Sequence, residues 1–389
     1  MSSIFKNARR ALTLAAAIAA TFALAACQPV GTGSNNTGKA RSGAVRVALL
    51  VPGASGQAGD DIISRSLQNA ARMAIADLGG ARIDLRVYET AGNPAQAGAV
   101  AVKAVDDGAE IILGPFYAQA ANAAGVAVAG RGVNVLSFSN NTDIAGGNVF
   151  VLGATFQNTA DRLAAYSVRQ GRRKFMILND NNPVGEIGRN AIARGVAAAG
   201  GSVAGTFGYE FSQNGIVQAA PQIAAQIRGS GADAVFMTAN TAGALPLLTQ
   251  MLRDNNVDPS VAQFIGLARW DIPAETQSLP GVQGGWFAMP DPAMFAQFQS
   301  RYQSSFGEVP HQTAGLAYDG IAAIGALAQR GDAISATSLT QASGFVGVAG
   351  IFRLRSDGTN ERGLAVAQIR NNQVVVIENA PRSFRGAGL

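Results

Sequence analysis

Residues 45–60, VRVALLVPGASGQAGD, decide the fold class of this chain. The first eight residues form an apolar run that ends at Pro52, which is typical of a buried strand. A glycine-rich segment follows and leads into residues 60–78, where apolar side chains recur at helical spacing until Gly79 and Gly80 end the pattern. A buried strand followed by an amphipathic helix is the repeating unit of a parallel sheet covered by helices.

The same alternation continues along the chain. It completes one cycle by residue 139 and restarts at residue 174, so we predict an α/β protein of two lobes, each a mainly parallel sheet flanked by helices. The predicted strands are 84–89, 111–114, 133–139, 174–180, 203–209, 234–239 and 263–267, and the predicted helices are 94–107, 118–129, 157–170, 186–199, 216–228, 244–255, 292–306 and 311–329. The tail is β-rich at 345–354, 363–370 and 373–378.

The N-terminal segment has the pattern of an export signal. Lys6, Arg9 and Arg10 precede an uncharged apolar run, 11–26, that is too short to span a bilayer permanently. The run ends in Leu-Ala-Ala before Cys27, which resembles the bacterial lipobox. We therefore predict a lipoprotein signal peptide over 1–26, a lipidated Cys27, and a flexible polar tether over 27–44. The alternative is an ordinary signal peptide with an incidental cysteine.

The charge balance favours a soluble body without a nucleic-acid partner. The chain has 30 basic and 25 acidic residues, and all three charges in 1–26 are basic, so the mature protein would carry 27 basic against 25 acidic groups. The basic residues are scattered and do not interleave with aromatic ones. We expect membrane contact through the lipid anchor only.

The chemistry of catalysis and metal binding has little support in the sequence. Cys27 is the only cysteine and His311 the only histidine, so neither a Cys–His pair nor a Cys/His metal cluster can form. We expect His311 to be a surface or capping residue, and no G-x-S-x-G motif accompanies it. The glycines at 53–59 are spaced GxxGxxG, which is not the dinucleotide fingerprint. We therefore predict no enzyme activity, no cofactor and no metal.

Four stretches, in this order and spacing, give a specific resemblance. They are 47–60, 109–115 (AEIILGP), 178–185 (LNDNNPVG), and 317–320 (AYDG) with 350–358 (GIFRLRSDG). Together they resemble the type I periplasmic binding fold of leucine-binding-protein relatives over essentially 45–378. The first lobe is then expected over about 45–148 plus 290–344 and the second over about 150–285 plus 346–380. The connections between lobes are expected near 148–153, 284–290 and 344–350.

The resemblance implies a ligand cleft at the carboxyl ends of strands from both lobes. The densest polar cluster, 137–142, either lines this cleft or is a turn stabilised by its own Ser and Asn side chains. The candidate cleft residues are Ser55, Gln57, Tyr117, Gln119, Ser137, Ser139, Asn140, Asn141, Asp180, Asn240, Arg269 and Asp271.

The contacts of amino-acid-binding relatives are not reproduced in this sequence. The position of their second-lobe aromatic residue falls at Asn240, and that of the acid that pairs with the ligand ammonium falls near Ala268. An α-amino acid would lack an obvious buried partner for its ammonium, unless Asp180 or Asp271 substitutes.

Two non-enzymatic functions fit these observations. We favour a lipoprotein activator of penicillin-binding proteins, which regulates peptidoglycan synthesis from the periplasmic face of the outer membrane. Gln28, which follows the cysteine, favours the outer membrane over the inner membrane. The alternative is a substrate-binding lipoprotein of an ABC importer for amino acids or related small polar solutes, with an ABC permease as partner.

Overall fold

A computed structural model describes residues 43–384, and the predicted signal peptide, Cys27 and most of the tether lie outside them. The first sheet has five parallel strands in the order β2-β1-β3-β4-β5. Its strands and helices are β1 (Val45–Val51), α1 (Ala58–Asp77), β2 (Ile83–Glu89), α2 (Pro94–Asp106), β3 (Ile111–Leu113), α3 (Ala118–Val128), β4 (Asn134–Ser137) and β5 (Val149–Val151). We call this sheet and its helices the first lobe.

The second sheet has seven strands in the order β15-β14-β10-β9-β8-β6-β7, and we call it with its helices the second lobe. Strands β7, β6, β8, β9 and β10 are parallel, whereas β14 and β15 are antiparallel. Its strands and helices are α4 (Phe156–Arg169), β6 (Lys174–Asp180), α5 (Pro183–Ala198), β7 (Ser202–Tyr209), α6 (Gln213–Ser230), β8 (Ala234–Met237), α7 (Leu245–Asp254), β9 (Gln263–Gly266), β10 (Trp286–Met289), β14 (Ala365–Arg370) and β15 (Gln373–Glu378). The predicted α/β class with mainly parallel sheets is confirmed.

A third group of segments returns to the first lobe. It comprises α8 (Pro292–Phe306), α9 (Ala314–Gln329), the short α10 (Ala336–Leu339), and the antiparallel sheet β11 (Phe345–Gly347), β12 (Gly350–Leu354) and β13 (Asn360–Arg362). Phe345, Phe352 and Leu354 pack in the same core as Val47 and Leu49. Assigning all of 346–380 to the second lobe was therefore wrong, because only β14 and β15 join the second sheet.

Three strands, β5, β10 and β13, were missed because they are short and pair only in the folded chain. The three residues of β5 and the four of β10 offer too little sequence for a periodic pattern, although they extend the first and second sheets respectively. The segment 345–354, predicted to be β-rich, forms a hairpin of β11 and β12.

Capping side chains explain why two helices begin earlier than predicted. Asn182 accepts a hydrogen bond from Gly185 N at 2.8 Å, so α5 begins at Pro183. Ser212 accepts from Gly215 N at 2.9 Å, so α6 begins at residue 213. Each cap satisfies an N–H group that the first helical turn leaves without a partner.

In the described part of the chain, the helices are too short or too polar to cross a membrane.

Candidate functional site

A cavity of about 970 Å³ lies among loops from both lobes and the first turns of α8 and α9. Loops after β3 and β4 contribute from the first lobe, and the loop after β9 contributes from the second. Its wall is mostly apolar, and the large apolar side chains are those of Phe116, Phe138, Ile272, Met289, Phe295, Leu316 and Leu364. This composition is that of a site for a small organic molecule.

Five of the twelve candidate residues line this cavity: Tyr117, Ser139, Asn140, Asn141 and Arg269. They come from three different loops, so the fold brings together side chains that are up to about 150 residues apart in the chain. The cavity therefore has hydroxyl, amide and guanidinium groups within an apolar wall.

The other seven candidates are not part of the lining: Ser55, Gln57, Gln119, Ser137, Asp180, Asn240 and Asp271. Ser137 is fully buried, and its hydroxyl donates to Pro115 O at 3.3 Å. Asp180 is buried in the second lobe, where its Oδ2 accepts from Thr238 Oγ1 at 3.3 Å. Ser55 accepts from Gln57 N at 3.1 Å, which is a local turn contact.

The loop after β4 agrees with both interpretations of its Ser and Asn residues, as a self-stabilised turn and as part of the cavity lining. Ser139 N donates to Ser137 Oγ at 3.1 Å, and Asn141 N donates to Ser139 Oγ at 3.0 Å. Asp143 N then donates to Asn141 Oδ1 at 2.9 Å. These contacts fix the loop as a series of side-chain-stabilised turns, and the exposed Asn140 lies at the cavity.

Tyr117 connects two loops at the edge of the cavity. Its hydroxyl donates to the carboxylate of Asp60 in the first turn of α1, and this hydrogen bond raises the pKa of Tyr117 to about 12. Tyr117 is also the N-cap of α3, but no side chain caps that helix. The positive end of the α3 dipole, beginning at Ala118, therefore borders the cavity.

Arg269 and Asp271 form an ion pair on the loop after β9. Arg269 Nε donates to Asp271 Oδ1 at 2.9 Å, and Arg269 Nη2 donates to Asp271 Oδ2. Trp270 lies between them and is fully buried in the second-lobe core, so it anchors the loop. Because Asp271 is already paired, it is not the free acid that a ligand ammonium would need.

A buried ion pair that the sequence analysis did not identify lies at the base of the cavity. Arg362 Nη1 donates to Asp319 Oδ2 at 3.1 Å, and Val348 N donates to Asp319 Oδ1 at 2.8 Å. Arg362 Nε also donates to Leu152 O at 3.0 Å, beside the connection between lobes. Burial raises the pKa of Asp319, and Arg362 offsets part of that effect. The available signal was an acid on the apolar face of helix α9.

The described residues contain no group of three or more His, Cys, Asp or Glu side chains placed to hold a metal ion.

His311 is half-buried, and burial lowers its pKa. Its Nδ1 lies 2.7 Å from Thr313 Oγ1 and accepts from Thr313 N at 3.3 Å, just before α9. His311 thus orders the start of this helix.

The sequence profile of the family described as "Periplasmic binding protein" matches residues 44–373. Among solved structures, a putative branched-chain amino acid ABC transporter protein from Rhodospirillum rubrum is 19% identical, with 86% of this chain and 100% of that chain covered and a TM-score of 0.71. A Desulfitobacterium hafniense ABC transporter substrate-binding protein in complex with Leu is 18% identical, covering 86% and 100%, with a TM-score of 0.62. A Rhodopseudomonas palustris BisB5 solute-binding protein in complex with 3,4-dihydroxybenzoic acid is 20% identical, covering 87% and 96%, with a TM-score of 0.56. No curated protein sequence matches this chain.

Proposed function

Because this chain belongs to the periplasmic binding protein family, we propose that it is the solute receptor of an ABC importer. In this role it binds a small organic molecule in the cavity between its lobes and presents it to an ABC permease. The observation that carries the proposal is the cavity of about 970 Å³, to which both lobes contribute. Its size and its apolar wall with few polar groups are those of small-molecule sites.

The solved relatives support this function over the one that the sequence analysis favoured. Their names describe ABC transporter proteins, and two of their structures hold leucine and 3,4-dihydroxybenzoic acid, respectively. At 18–20% identity they establish the fold. Family membership implies a periplasmic location.

An activator of penicillin-binding proteins is the second candidate function. It is supported by the predicted lipid anchor at Cys27 and by the predicted polar tether over 27–44. An adaptor at the outer membrane needs an anchor and a flexible linker long enough for its folded domain to contact a partner away from that membrane. The absence of an unpaired acid in the described cavity lining also fits a cleft that does not bind amino acids.

We expect the full-length protein to bind a solute. Native mass spectrometry of protein purified under mild conditions should show a discrete small-molecule adduct, and thermal denaturation with a solute library should identify stabilising compounds. A solute at about 100 times its Kd stabilises the folded state by about 2.7 kcal/mol. A protein that binds no solute, and that co-purifies with a peptidoglycan synthase from solubilised membranes, would support the activator instead.

We also propose that Cys27 anchors the protein to the outer membrane. Cys27→Ala should move the protein from the membrane fraction to the soluble fraction, or leave the signal peptide uncleaved, because two or more acyl chains at this cysteine supply the membrane affinity. Ser34→Ala in the tether is the matched control and should stay with the membrane. Fractionation and intact-mass measurement decide the result: membrane association of Cys27→Ala, with no acyl mass on the wild type, would contradict the anchor.

A further inference from the structure

We infer that the solute is an organic acid with an apolar or aromatic body and no amino group. This inference rests on the proposed function and narrows it to a class of ligand. Three properties of the cavity carry it: the pairing of Asp319, which is the one acid in its described lining, the unused donors of Arg269, and the apolar composition of its wall.

The described lining of the cavity offers no free carboxylate for a ligand ammonium. Asp319 is the one acid among the described lining residues, and it is fully buried. Both of its oxygens are occupied, Oδ2 by Arg362 Nη1 at 3.1 Å and Oδ1 by Val348 N at 2.8 Å. Taking the ammonium of an amino acid out of water without a partner is costly. The cavity therefore discriminates against α-amino acids.

Donors for an anion are available in the same cavity. A guanidinium carries five N–H groups, and Asp271 accepts from only two nitrogens of Arg269, namely Nε and Nη2. The Nη1 donors of Arg269, which lines the cavity, are thus not used by the hydrogen bonds within the described residues. The uncapped start of α3 at Ala118 adds partial positive charge. A carboxylate is the ligand group that these donors suit.

The wall of the cavity suits an apolar body. Phe116, Phe138 and Phe295 provide aromatic surface, and Met289, Leu316 and Leu364 provide aliphatic surface. A volume of about 970 Å³ accommodates a ring or a branched chain. Because the polar groups are few, most of the binding free energy of such a ligand would come from burial of its apolar surface.

The first test is calorimetry on the full-length protein with matched pairs of ligands. Phenylpropanoate is compared with L-phenylalanine and isocaproate with L-leucine, since each acid keeps the skeleton of the amino acid and lacks the ammonium. We expect the acid of a pair to bind at least about tenfold more tightly. Tighter binding of the amino acid would overturn the inference and leave the proposed function intact.

The same panel separates failure of the inference from failure of the proposed function. If no acid of the panel binds, native mass spectrometry identifies the co-purified solute. An apolar organic acid there supports the inference, and a solute of any other class overturns it while the receptor function stands. The finding that no solute binds at all overturns both.

The second test removes the proposed anion-binding group. The double variant Arg269→Gln, Asp271→Asn deletes the ion pair without leaving a carboxylate unpaired. We expect it to bind phenylpropanoate at least about tenfold more weakly and to bind the neutral analogue phenylpropanol as the wild type does. Arg82→Gln, at an exposed position of the first lobe, is the control. Unchanged binding of phenylpropanoate by the double variant would overturn the inference.

Discussion

Replacing Arg362 with methionine should lower the free energy of unfolding by about 3–5 kcal/mol at neutral pH, because it leaves the buried carboxylate of Asp319 without its counter-charge. Asp319 has no solvent exposure, and Arg362 is 6% exposed. The substitution also removes the donors to Leu152 O and the stacking of the guanidinium on Phe352, 5.1 Å from the ring centroid. Chemical denaturation of the full-length protein measures the loss.

The control is the double variant Asp319→Asn, Arg362→Met. It should recover part of the lost stability, because a neutral amide in this position costs less than an unpaired charge. Recovery is incomplete, since Leu152 O still lacks its donor. Equal stability of the single and double variants would show that the ion pair is not the cause.

The pH dependence provides a second check on the same residue. Burial raises the pKa of Asp319 above that of the unfolded chain, and loss of Arg362 raises it further. The folded state of Arg362→Met then binds a proton more tightly than the unfolded state, so its stability falls as the pH rises through the folded pKa. The deficit relative to wild type should be smaller at about pH 5 than at about pH 8.

Replacing Trp270 with alanine should cost about 3–5 kcal/mol of stability, the range for loss of a fully buried large aromatic side chain. The indole packs tightly against two glycines. A Cβ at Gly266 would lie 2.2 Å from Trp270 Nε1, and one at Gly285 would lie 2.0 Å from Trp270 Cζ3. Trp270 also anchors the loop that carries Arg269. We therefore expect the folded fraction of the Trp270→Ala variant to bind the ligand more weakly than the wild type does.

Trp270→Phe is the matched control for the alanine variant. It keeps most of the apolar surface, and it loses no hydrogen bond because Nε1 is buried without a partner in the described structure. The phenylalanine variant should therefore be clearly more stable than the alanine variant in thermal or chemical denaturation. Similar stability of the two would show that packing of the indole does not anchor this loop.

Local sequence was sufficient for most of the secondary structure. Apolar runs such as 45–51 and helical periodicity such as 60–78 depend on neighbours within about ten residues, and so they can be read directly from the chain. The loop over 137–143 could also be interpreted locally, because its Ser and Asn side chains bond to N–H groups two residues later. The family resemblance was confirmed for the same reason, since it rests on the order of such segments.

Local sequence could not show which side chains meet at the cavity. Asp180 is the last residue of β6 and Asp271 lies on the loop after β9, where an ammonium partner is expected. In the structure, Asp180 contacts Thr238 and Asp271 pairs with Arg269. Whether an acid is free depends on the side chains around it. That property appears only when the loops are folded together.

The sequence by itself determined the alternating strands and helices, and hence an α/β protein with mainly parallel sheets. The tertiary structure alone decided how the tail divides between the lobes, and that Asp319 meets Arg362 across 43 residues at the base of the cavity. The physical reason is the range of the interactions. Periodicity and capping act within one or two helical turns, whereas burial and pairing of a charge depend on segments that only the complete fold brings into contact.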